Sequence, residues 1–305
     1  MLTEFAPGNA TMEALMEFAS LREFRERGLD LLAKGPVALI FIEDPVEIAA
    51  TIDHHVQAGF RQILAFTPRD IELPITECDI LHRITYDTHA DGALADAVNG
   101  IIDQSPATTW IYYCYNAEFL FHPFCENRNI REMIAFHAEE RRDAMLCYVV
   151  DLYAPDLDRY PDAVCMDQAM MDRSGYYAQA RKDVGLDGQP KDRQLDFFGG
   201  LRWRFEEHIP EKRRKIDRIA LFRAQKGLRL NDDHTFNIEE YNTFACPWHH
   251  NLTAAIASFR TAKALRTNPG SMFDIHSFLW HSSTRFEWQS QQLMDLGLME
   301  PGQWF

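Results

Sequence analysis

Residues 110–120 read W-I-Y-Y-C-Y-N-A-E-F-L, a hydrophobic run that ends in a short polar tip. Asn116 and Glu118 supply the polar groups of this tip. In an open parallel α/β sheet, ligands bind just beyond the carboxyl ends of the strands. The pattern therefore predicts a buried strand whose polar end lies where a ligand would bind.

Similar apolar runs alternate with amphipathic segments along the first half of the chain. The run 36–42 contains no polar residue, as expected of a strand buried on both faces. Strands that alternate with helices imply right-handed βαβ units. The sequence thus predicts an α/β fold with a mainly parallel twisted sheet and helices on both faces. Further strands are expected at 61–67, 80–86, 109–115 and 144–153, and helices from about 45, 91 and 130.

The chain has no internal repeat and no linker rich in Pro, Gly or Ser, so one main domain is expected. Residues 11–28 carry Leu15, Phe18 and Leu21 at helical spacing, which predicts an amphipathic helix. From about residue 155 we expect an irregular α+β half that lies over the carboxyl edge of the sheet. The expected units are an N-terminal helical appendage at 1–33, the main domain at 34–265 and a C-terminal helical tail at 266–305.

An excess of acidic residues limits the expected partners. Asp and Glu total 46 against 31 Lys and Arg, which gives a net charge of −15. This charge argues against nucleic acid as a partner and against general binding to anionic membranes. No stretch approaches the roughly 18 consecutive apolar residues that a membrane span requires, and the N-terminus lacks the features of a secretory signal. We expect a cytoplasmic protein without a transmembrane segment, for which peripheral membrane contact stays open.

Two acidic residues, Glu43 and Asp44, follow the first predicted strand. Asp44, Pro45 and Glu47 form the signal of a helix start: an acid at the N-cap, proline at the first helical position and a capping-box Glu. Carboxylates at a strand end can also accept hydrogen bonds from a nucleobase or from ribose hydroxyls. A helix cap is therefore predicted, and a nucleotide contact is a hypothesis that is compatible with it.

The tip at 115–120 resembles the D-x-D-E-F-L segment of bacterial glycosyltransferases of the family 2-like type. The two aspartates of that segment hold the metal and the diphosphate of a sugar nucleotide. Here Tyr115 and Ala117 stand where the aspartates would be, whereas Glu118, Phe119 and Leu120 match. The resemblance therefore preserves the fold signal and loses the metal signal.

Other segments support the same resemblance, which covers roughly residues 36–265. They include D-H-H-V-Q-A-G-F-R-Q-I-L at 53–64, V-D-L-Y-A at 150–154, M-M-D-R-S-G-Y at 170–176, G-G-L-R-W-R-F at 199–205 and R-I-A-L-F-R at 218–223. The resemblance implies a GT-A-like fold and transfer of a sugar from a nucleotide-sugar donor to an acceptor hydroxyl, with inversion. It also implies a glycan or lipid-linked acceptor, in the synthesis of a surface polysaccharide or glycolipid. Glu43 and Asp44 would then hold the nucleoside end of the donor.

The residues at the tip leave three alternatives for a metal. Glu118 with Asn116 could hold Mg²⁺ or Mn²⁺ weakly, because Mg²⁺ often takes only one or two protein ligands. Alternatively no metal binds, Asn116 hydrogen-bonds the donor sugar and Glu118 lines the sugar beside it, which is the alternative that we favour. In the third, the tip is purely structural.

Without a metal, the diphosphate would need cations from the protein itself. Residues 202–229 contain ten basic and four acidic residues, in a chain that is acidic overall. Guanidinium and ammonium groups bind phosphate through charge-assisted hydrogen bonds, so Arg202, Arg204 and Lys215 are expected beside the diphosphate. A docking patch for an acidic lipid or partner, or a merely solvated face, are the alternatives. By the resemblance, His249 also lies near the diphosphate.

An inverting transferase needs a general base near the acceptor hydroxyl. The two carboxylates in family-like settings are Asp151, at the end of a predicted strand, and Asp172. Burial at the edge of a sheet would raise their basicity, although each could equally be a cap or turn residue. A catalytically degenerate GT-A-like protein that binds a nucleotide, a glycan or a protein partner remains the alternative function.

Overall fold

A computed structural model describes residues 15–74, 78–183, 185, 187–242 and 251–304. The strands are β1 (Glu17–Phe18), β2 (Val37–Phe41), β3 (Gln62–Thr67), β4 (Leu81–Thr85), β5 (Trp110–Tyr115), β6 (Glu118–Phe121), β7 (Ala144–Tyr153), β8 (Met170–Asp172), β9 (Tyr177–Asp183), β10 (Gln189–Phe198), β11 (Asp217–Arg223), β12 (Ala254–Ser258) and β13 (Ser283–Arg285). The helices are α1 (Leu21–Arg27), α2 (Leu29–Leu32), α3 (Ile48–Gln57), α4 (Ala93–Ile102), α5 (Ile130–Glu139), α6 (Gly200–Arg204), α7 (Glu239–Asn242), α8 (Arg260–Thr267) and α9 (Ser290–Asp295).

The central sheet has the strand order β1-β4-β3-β2-β5-β11-β7-β12-β6. Neighbouring strands are parallel from β1 through β5, and β12 is parallel to β7. Strand β11 is antiparallel to both of its neighbours, and β6 is antiparallel to β12. Strands β8 and β13 extend from β7, whereas β9 and β10 form a separate hairpin. The predicted α/β class, with a mostly parallel mixed sheet, is confirmed.

The strands predicted from unbroken apolar runs form the centre of the sheet. Every residue of β2, β3 and β5 is buried, which is the reason for the absence of polar alternation in these segments. Strand β7 spans the same residues that its hydrophobic pattern predicts. These four strands lie within one residue of the predicted boundaries, because burial on both faces leaves an unambiguous composition.

The second half of the chain completes the sheet, whereas we expected it to lie over the sheet's edge. Strand β11 is inserted between β5 and β7, and β12 lies on the far side of β7. The expectation of an irregular half outside the sheet is therefore wrong for these two strands. Strand β11 begins with Asp217 and Arg218 and ends with Arg223, so its sequence lacks the long apolar run that identifies a buried strand.

Both terminal segments differ from the predicted helices. Glu17–Phe18 pairs with β4 as the edge strand, and the first helix begins at Leu21, where the Ser20 hydroxyl accepts a hydrogen bond from the amide of Glu23. A continuous helix over 11–28 is thus wrong for residues 15–20, and residues 11–14 lie outside the described part. The tail 266–305 contains the strand β13 as well as helix.

The C-terminal tail packs into the core through its apolar side chains. Phe286, Leu293 and Leu298 are buried in one hydrophobic cluster with Val150 and Leu152 of β7.

Among the described helices, none combines the length and the apolar composition needed to cross a membrane.

Candidate functional site

Six of the predicted site residues lie at one edge of the sheet, where β2, β5, β7 and β12 end: Glu43, Asp44, Asn116, Glu118, Asp151 and Arg202. The pairing of Phe41 with Tyr115, and of Ser258 with both Asp151 and Glu118, brings these strand ends side by side. Strand β11 runs in the opposite direction, so its first residues lie at the same edge. The expectation that polar groups collect at the carboxyl ends of the strands is met.

Asn116 ties two loops of this edge together. Its Oδ1 accepts a hydrogen bond from the amide of Glu43 at 2.9 Å, and its Nδ2 donates to Asp44 Oδ1 at 2.8 Å and to the carbonyl oxygen of Val46 at 2.8 Å. The side chain is fully buried. Both amide hydrogens are used within the chain, so Asn116 positions the loop after β2, and a direct contact with a donor sugar would require these bonds to break.

Glu118 forms a buried ion pair with Arg218. Its two oxygens accept hydrogen bonds from Arg218 at 2.7 and 3.0 Å, and further bonds from the amide of Tyr115 and the hydroxyl of Ser258, each at 2.9 Å. Burial alone would raise the pKa of Glu118, but Arg218 and these bonds lower it to about 2. All four acceptor positions of the carboxylate are occupied. Glu118 therefore does not fit the role of a metal ligand.

Tyr115 occupies the position of the first aspartate in the resemblance, and an arginine lies on its ring. The guanidinium carbon of Arg260 is 3.7 Å from the ring centroid. Arg260 Nε and Nη2 each bind Glu43 at 2.7 Å, whereas Nη1 donates no hydrogen bond to any residue in the described part of the chain. The positively charged side chain of Arg260 thus lies at the tip, and the Nη1 side of its guanidinium group is not used in a hydrogen bond to a described residue.

Asp44 pairs with a second cation of α8. Lys263 Nζ lies 3.0 and 2.8 Å from its two carboxylate oxygens. Burial would raise the pKa of Asp44, but the attraction and hydrogen bonds of Lys263, with bonds from Val46 and Asn116, lower it overall.

The predicted helix cap at Asp44 is wrong. Asp44 Oδ1 accepts from the amide of Val46 in a local turn, and α3 begins only at Ile48. Glu47 precedes the helix with a φ of 53°, and its side chain makes no capping bond. The carboxylate of Asp44 is engaged by Asn116 and Lys263 instead, so tertiary contacts override the local helix signal.

Asp151 is the buried carboxylate whose bonding is incomplete. Its Oδ2 accepts a long hydrogen bond, 3.4 Å, from the amide of Arg202, and its Oδ1 lies 3.6 Å from Arg202 Nε. No described residue donates a hydrogen bond to Oδ1. Burial raises the pKa of Asp151, and Arg202 and the nearby Thr261 hydroxyl offset this only in part. A buried carboxylate with raised pKa and a vacant acceptor is chemically suited to take a proton.

Gly200 allows the start of α6 to lie against this carboxylate. Gly200 has a φ of 60°, and a Cβ added to it would lie 2.9 Å from Asp151 Oδ2. Arg202, two residues later, donates to Thr261 Oγ1 at 3.2 Å and to the carbonyl oxygen of Lys215 at 2.6 Å. Its Nη2 has no partner among the described residues. Burial, with the nearby cations Arg218 and Arg260, lowers the pKa of Arg202.

Asp172, the other candidate base, is fully bonded. Its Oδ1 accepts from the Tyr153 hydroxyl at 2.5 Å and from Trp280 Nε1 at 2.7 Å. Arg204 Nη1 lies 3.1 and 3.2 Å from its two oxygens, and Arg204 Nη2 donates to the carbonyl oxygen of Phe278. Asp172 and Arg204 thus hold the segments around β8 together, and neither is oriented toward the strand ends by these contacts.

The basic segment 202–229 does not form one surface. Arg202 and Arg218 lie at the carboxyl edge, and Lys215 binds Asp196 and Asp233 at 3.3 and 3.5 Å. Arg223 lies at the opposite end of β11, where it pairs with Asp143. Nearness in sequence therefore does not produce a continuous phosphate clamp. His249, predicted near the diphosphate, lies outside the described residues.

Arg260 and Lys263 are not among the residues predicted from the sequence. Both lie at the start of α8, directly after the apolar strand β12, which is the position at which a parallel strand delivers its ligand-binding residues. The sequence signal that could have identified them is the presence of two basic residues shortly after an apolar run. Within the described residues, no group of three or more His, Cys, Asp or Glu side chains is arranged to hold a metal ion.

Comparisons with known proteins do not identify the chain. No family model matches it, and no curated protein matches it significantly.

Proposed function

We propose that this protein is a GT-A-like glycosyltransferase that moves a sugar from a nucleotide-sugar donor to an acceptor hydroxyl, with arginine and lysine side chains in place of a divalent cation. The observation that carries the proposal is the position of Arg260 over Tyr115, at the tip of β5. In the resembling family this tip holds a metal through carboxylates. Here a positively charged side chain stands at the position where the ring of Tyr115 has replaced the first carboxylate.

The free guanidinium nitrogens support binding of a diphosphate. Arg260 Nη1 and Arg202 Nη2 have no acceptor among the described residues, and a phosphate oxygen is a strong acceptor for such groups. The Arg260–Glu43 pair retains 29% and 18% of its side-chain exposure, so an incoming anion can reach it. Lys263 adds a further charge on the same helix.

The vacant oxygen of Asp151 supports a role as general base. In the proposed reaction the acceptor hydroxyl transfers its proton to Asp151 while its oxygen attacks the anomeric carbon of the donor. The bond from that carbon to the nucleotide diphosphate breaks, and the charge that develops on the diphosphate is stabilised by the arginines. The donor-binding role of Glu43 and Asp44 is then indirect, because they orient Arg260 and Lys263.

A thermal-shift screen tests the donor class and the metal together. UDP-, GDP-, CMP- and dTDP-sugars are each added in EDTA and in Mg²⁺ or Mn²⁺. We expect one nucleotide to raise the melting temperature equally in EDTA, and to be hydrolysed slowly. A shift that requires a divalent cation would contradict the metal-free proposal, and no shift with any donor would remove its basis.

The substitution Arg260→Gln tests the observation itself. It should abolish the donor-dependent shift in EDTA. The matched control is Arg229→Gln, because Arg229 also forms a 2.7 Å ion pair, with Asp103, in a segment away from the strand ends. A donor shift that survives Arg260→Gln would count against the role of this arginine.

A second candidate is a GT-A-like protein that binds a nucleotide, a glycan or a protein partner without catalysis. It is favoured by one observation, that the carboxylates of Glu43, Asp44, Glu118 and Asp172 are all paired with basic side chains. Donor binding without hydrolysis or transfer to any acceptor would select this candidate.

A further inference from the structure

Two tryptophans, the exposed Trp203 and the half-buried Trp280, pack together next to the candidate site. Trp203 of α6 is 40% exposed, and its ring centroid lies 6.3 Å from that of Trp280, with an angle of 63° between the rings. Gly175 makes this arrangement possible, because a Cβ at this position would lie 3.2 Å from Trp203 and 3.5 Å from Trp280. The indoles therefore meet over a backbone segment that carries no side chain.

The orientation of Trp280 is fixed by buried charged groups. Its Nε1 donates to Asp172 at 2.7 Å, and the guanidinium carbon of Arg204 lies 4.6 Å from its ring centroid. Asp172 is 1% exposed. An aromatic side chain that is already ordered loses little conformational entropy when a ligand binds to it. The paired Asp172 and Arg204 thus hold the indole of Trp280 in a fixed orientation.

The tryptophan pair lies close to Asp151 along α6. Gly200 at the start of this short helix approaches Asp151, Arg202 lies beside the same carboxylate, and Trp203 follows directly. A ligand that rests on Trp203 would therefore lie near the group that we propose as the base. Donor-binding Arg260 belongs to a different helix, α8.

We propose that Trp203, packed against Trp280, forms the acceptor subsite and binds a sugar ring of a neutral glycan by stacking on its exposed indole. This inference rests on the proposed function and specifies its acceptor. One face of a pyranose ring presents C–H groups that pack flat on an indole, while its hydroxyls point outward to polar partners. Ser174 and His281 are exposed beside the pair and can serve as those partners.

A glycan fits this surface better than an anionic membrane. The net charge of −15 opposes approach to anionic lipids, whereas a neutral sugar ring carries no charge that the protein would repel. The small size of the surface, the single exposed indole of Trp203, also corresponds to one sugar ring.

Glycan binding is measured without donor, so that its outcome is independent of the donor site. The probe is an array of neutral oligosaccharides, followed by titration of tryptophan fluorescence with each glycan retained. We expect a retained glycan to quench the fluorescence, and Trp203→Ala to weaken its binding by about tenfold or more, as for a central tryptophan at an interface. Trp203→Phe should restore part of the affinity.

Two controls separate a binding surface from general effects of exposed aromatics. Phe273→Ala removes a side chain that is 72% exposed and outside the pair, and it should leave the affinity unchanged. Trp203→Ala should also leave the donor-induced thermal shift intact, which distinguishes failure of the acceptor subsite from failure of the proposed function. Circular dichroism confirms that each variant is folded.

Three results would overturn the inference. They are retention of no glycan on the array, equal affinity of Trp203→Ala and the wild type, and binding to anionic phosphatidylserine vesicles that depends on Trp203 while glycans are ignored. The last result would assign the surface to a membrane instead.

Discussion

Two carboxylates at the same edge of the sheet, Glu118 and Asp151, are both buried beside an arginine, but their bonding differs. Glu118 accepts four hydrogen bonds, and its pKa is lowered to about 2. Asp151 accepts one long hydrogen bond, and its Oδ1 has no hydrogen-bond partner among the described residues. Burial raises the pKa of Asp151.

The difference lies in the geometry of the arginine. Arg218 meets Glu118 with two parallel bonds, which is the strongest arrangement of this pair. Arg202 turns its guanidinium group toward Thr261 and the backbone at Lys215 and leaves Asp151 partly uncompensated. Breaking the completed pair would leave a buried charge unpaired, whereas Asp151 keeps one oxygen without a hydrogen bond from a described residue.

The largest expected effect comes from removing the partner of Glu118. Arg218→Met leaves a buried carboxylate without its cation, so we expect a loss of about 3–5 kcal/mol in the free energy of unfolding. Urea denaturation measures it. Arg223→Met is the matched control on the same strand, because its pair with Asp143 is 39% and 44% exposed and should contribute at most about 1 kcal/mol. Equal losses in the two variants would contradict the special weight given to the buried pair.

A smaller effect is expected from acid. Because the folded-state pKa of Glu118 is lowered from 4.5 to about 2, its stabilising contribution is complete above pH 4.5 and is lost as the pH falls toward 2. The difference in unfolding free energy between wild type and Glu118→Gln should therefore shrink by roughly 1 kcal/mol per pH unit below pH 4.5. Urea denaturation at pH 7, 5, 4 and 3.5 measures this difference. A constant difference over this range would show that Glu118 is not held ionised by Arg218.

The smallest effect on stability is expected at Asp151. Asp151→Asn removes a poorly compensated buried charge, so the free energy of unfolding should change by less than about 1 kcal/mol. Sugar transfer should nevertheless fall by about a hundredfold or more, as when a general base is lost. The comparison is Asp172→Asn, which should destabilise the protein because Asp172 bonds Tyr153, Trp280 and Arg204. Full transfer activity in Asp151→Asn would remove it as the base.

Much of the sheet could be predicted from the sequence. The apolar runs of β2, β3, β5 and β7 place these strands within one residue of their observed bounds, because burial on both faces leaves few polar residues in them. Strand β11 could not be placed in the sheet in the same way. Arg218 is buried within β11, and a strand that contains a buried charge is recognised only when its distant partner is known.

The sequence predicted the edge at which these polar residues meet, but not the partners that they contact there. Glu43, Asp44, Asn116, Glu118, Asp151 and Arg202 do meet at the carboxyl edge, since strand ends determine where these residues lie. The partners of the carboxylates could not be predicted from the sequence, because Arg260 and Lys263 come from a helix more than 200 residues after Glu43 and Asp44. The helix cap expected at Asp44 failed for the same reason.

The sequence by itself determined the α/β class, the buried strands and the edge at which polar groups collect, because hydrophobic patterning is a local property of the chain. Only the tertiary structure decided which carboxylates are neutralised and which is left available. That decision depends on the orientation of arginine side chains from β11, α6 and α8, and hydrogen-bond geometry between residues far apart in the chain leaves no local pattern to read.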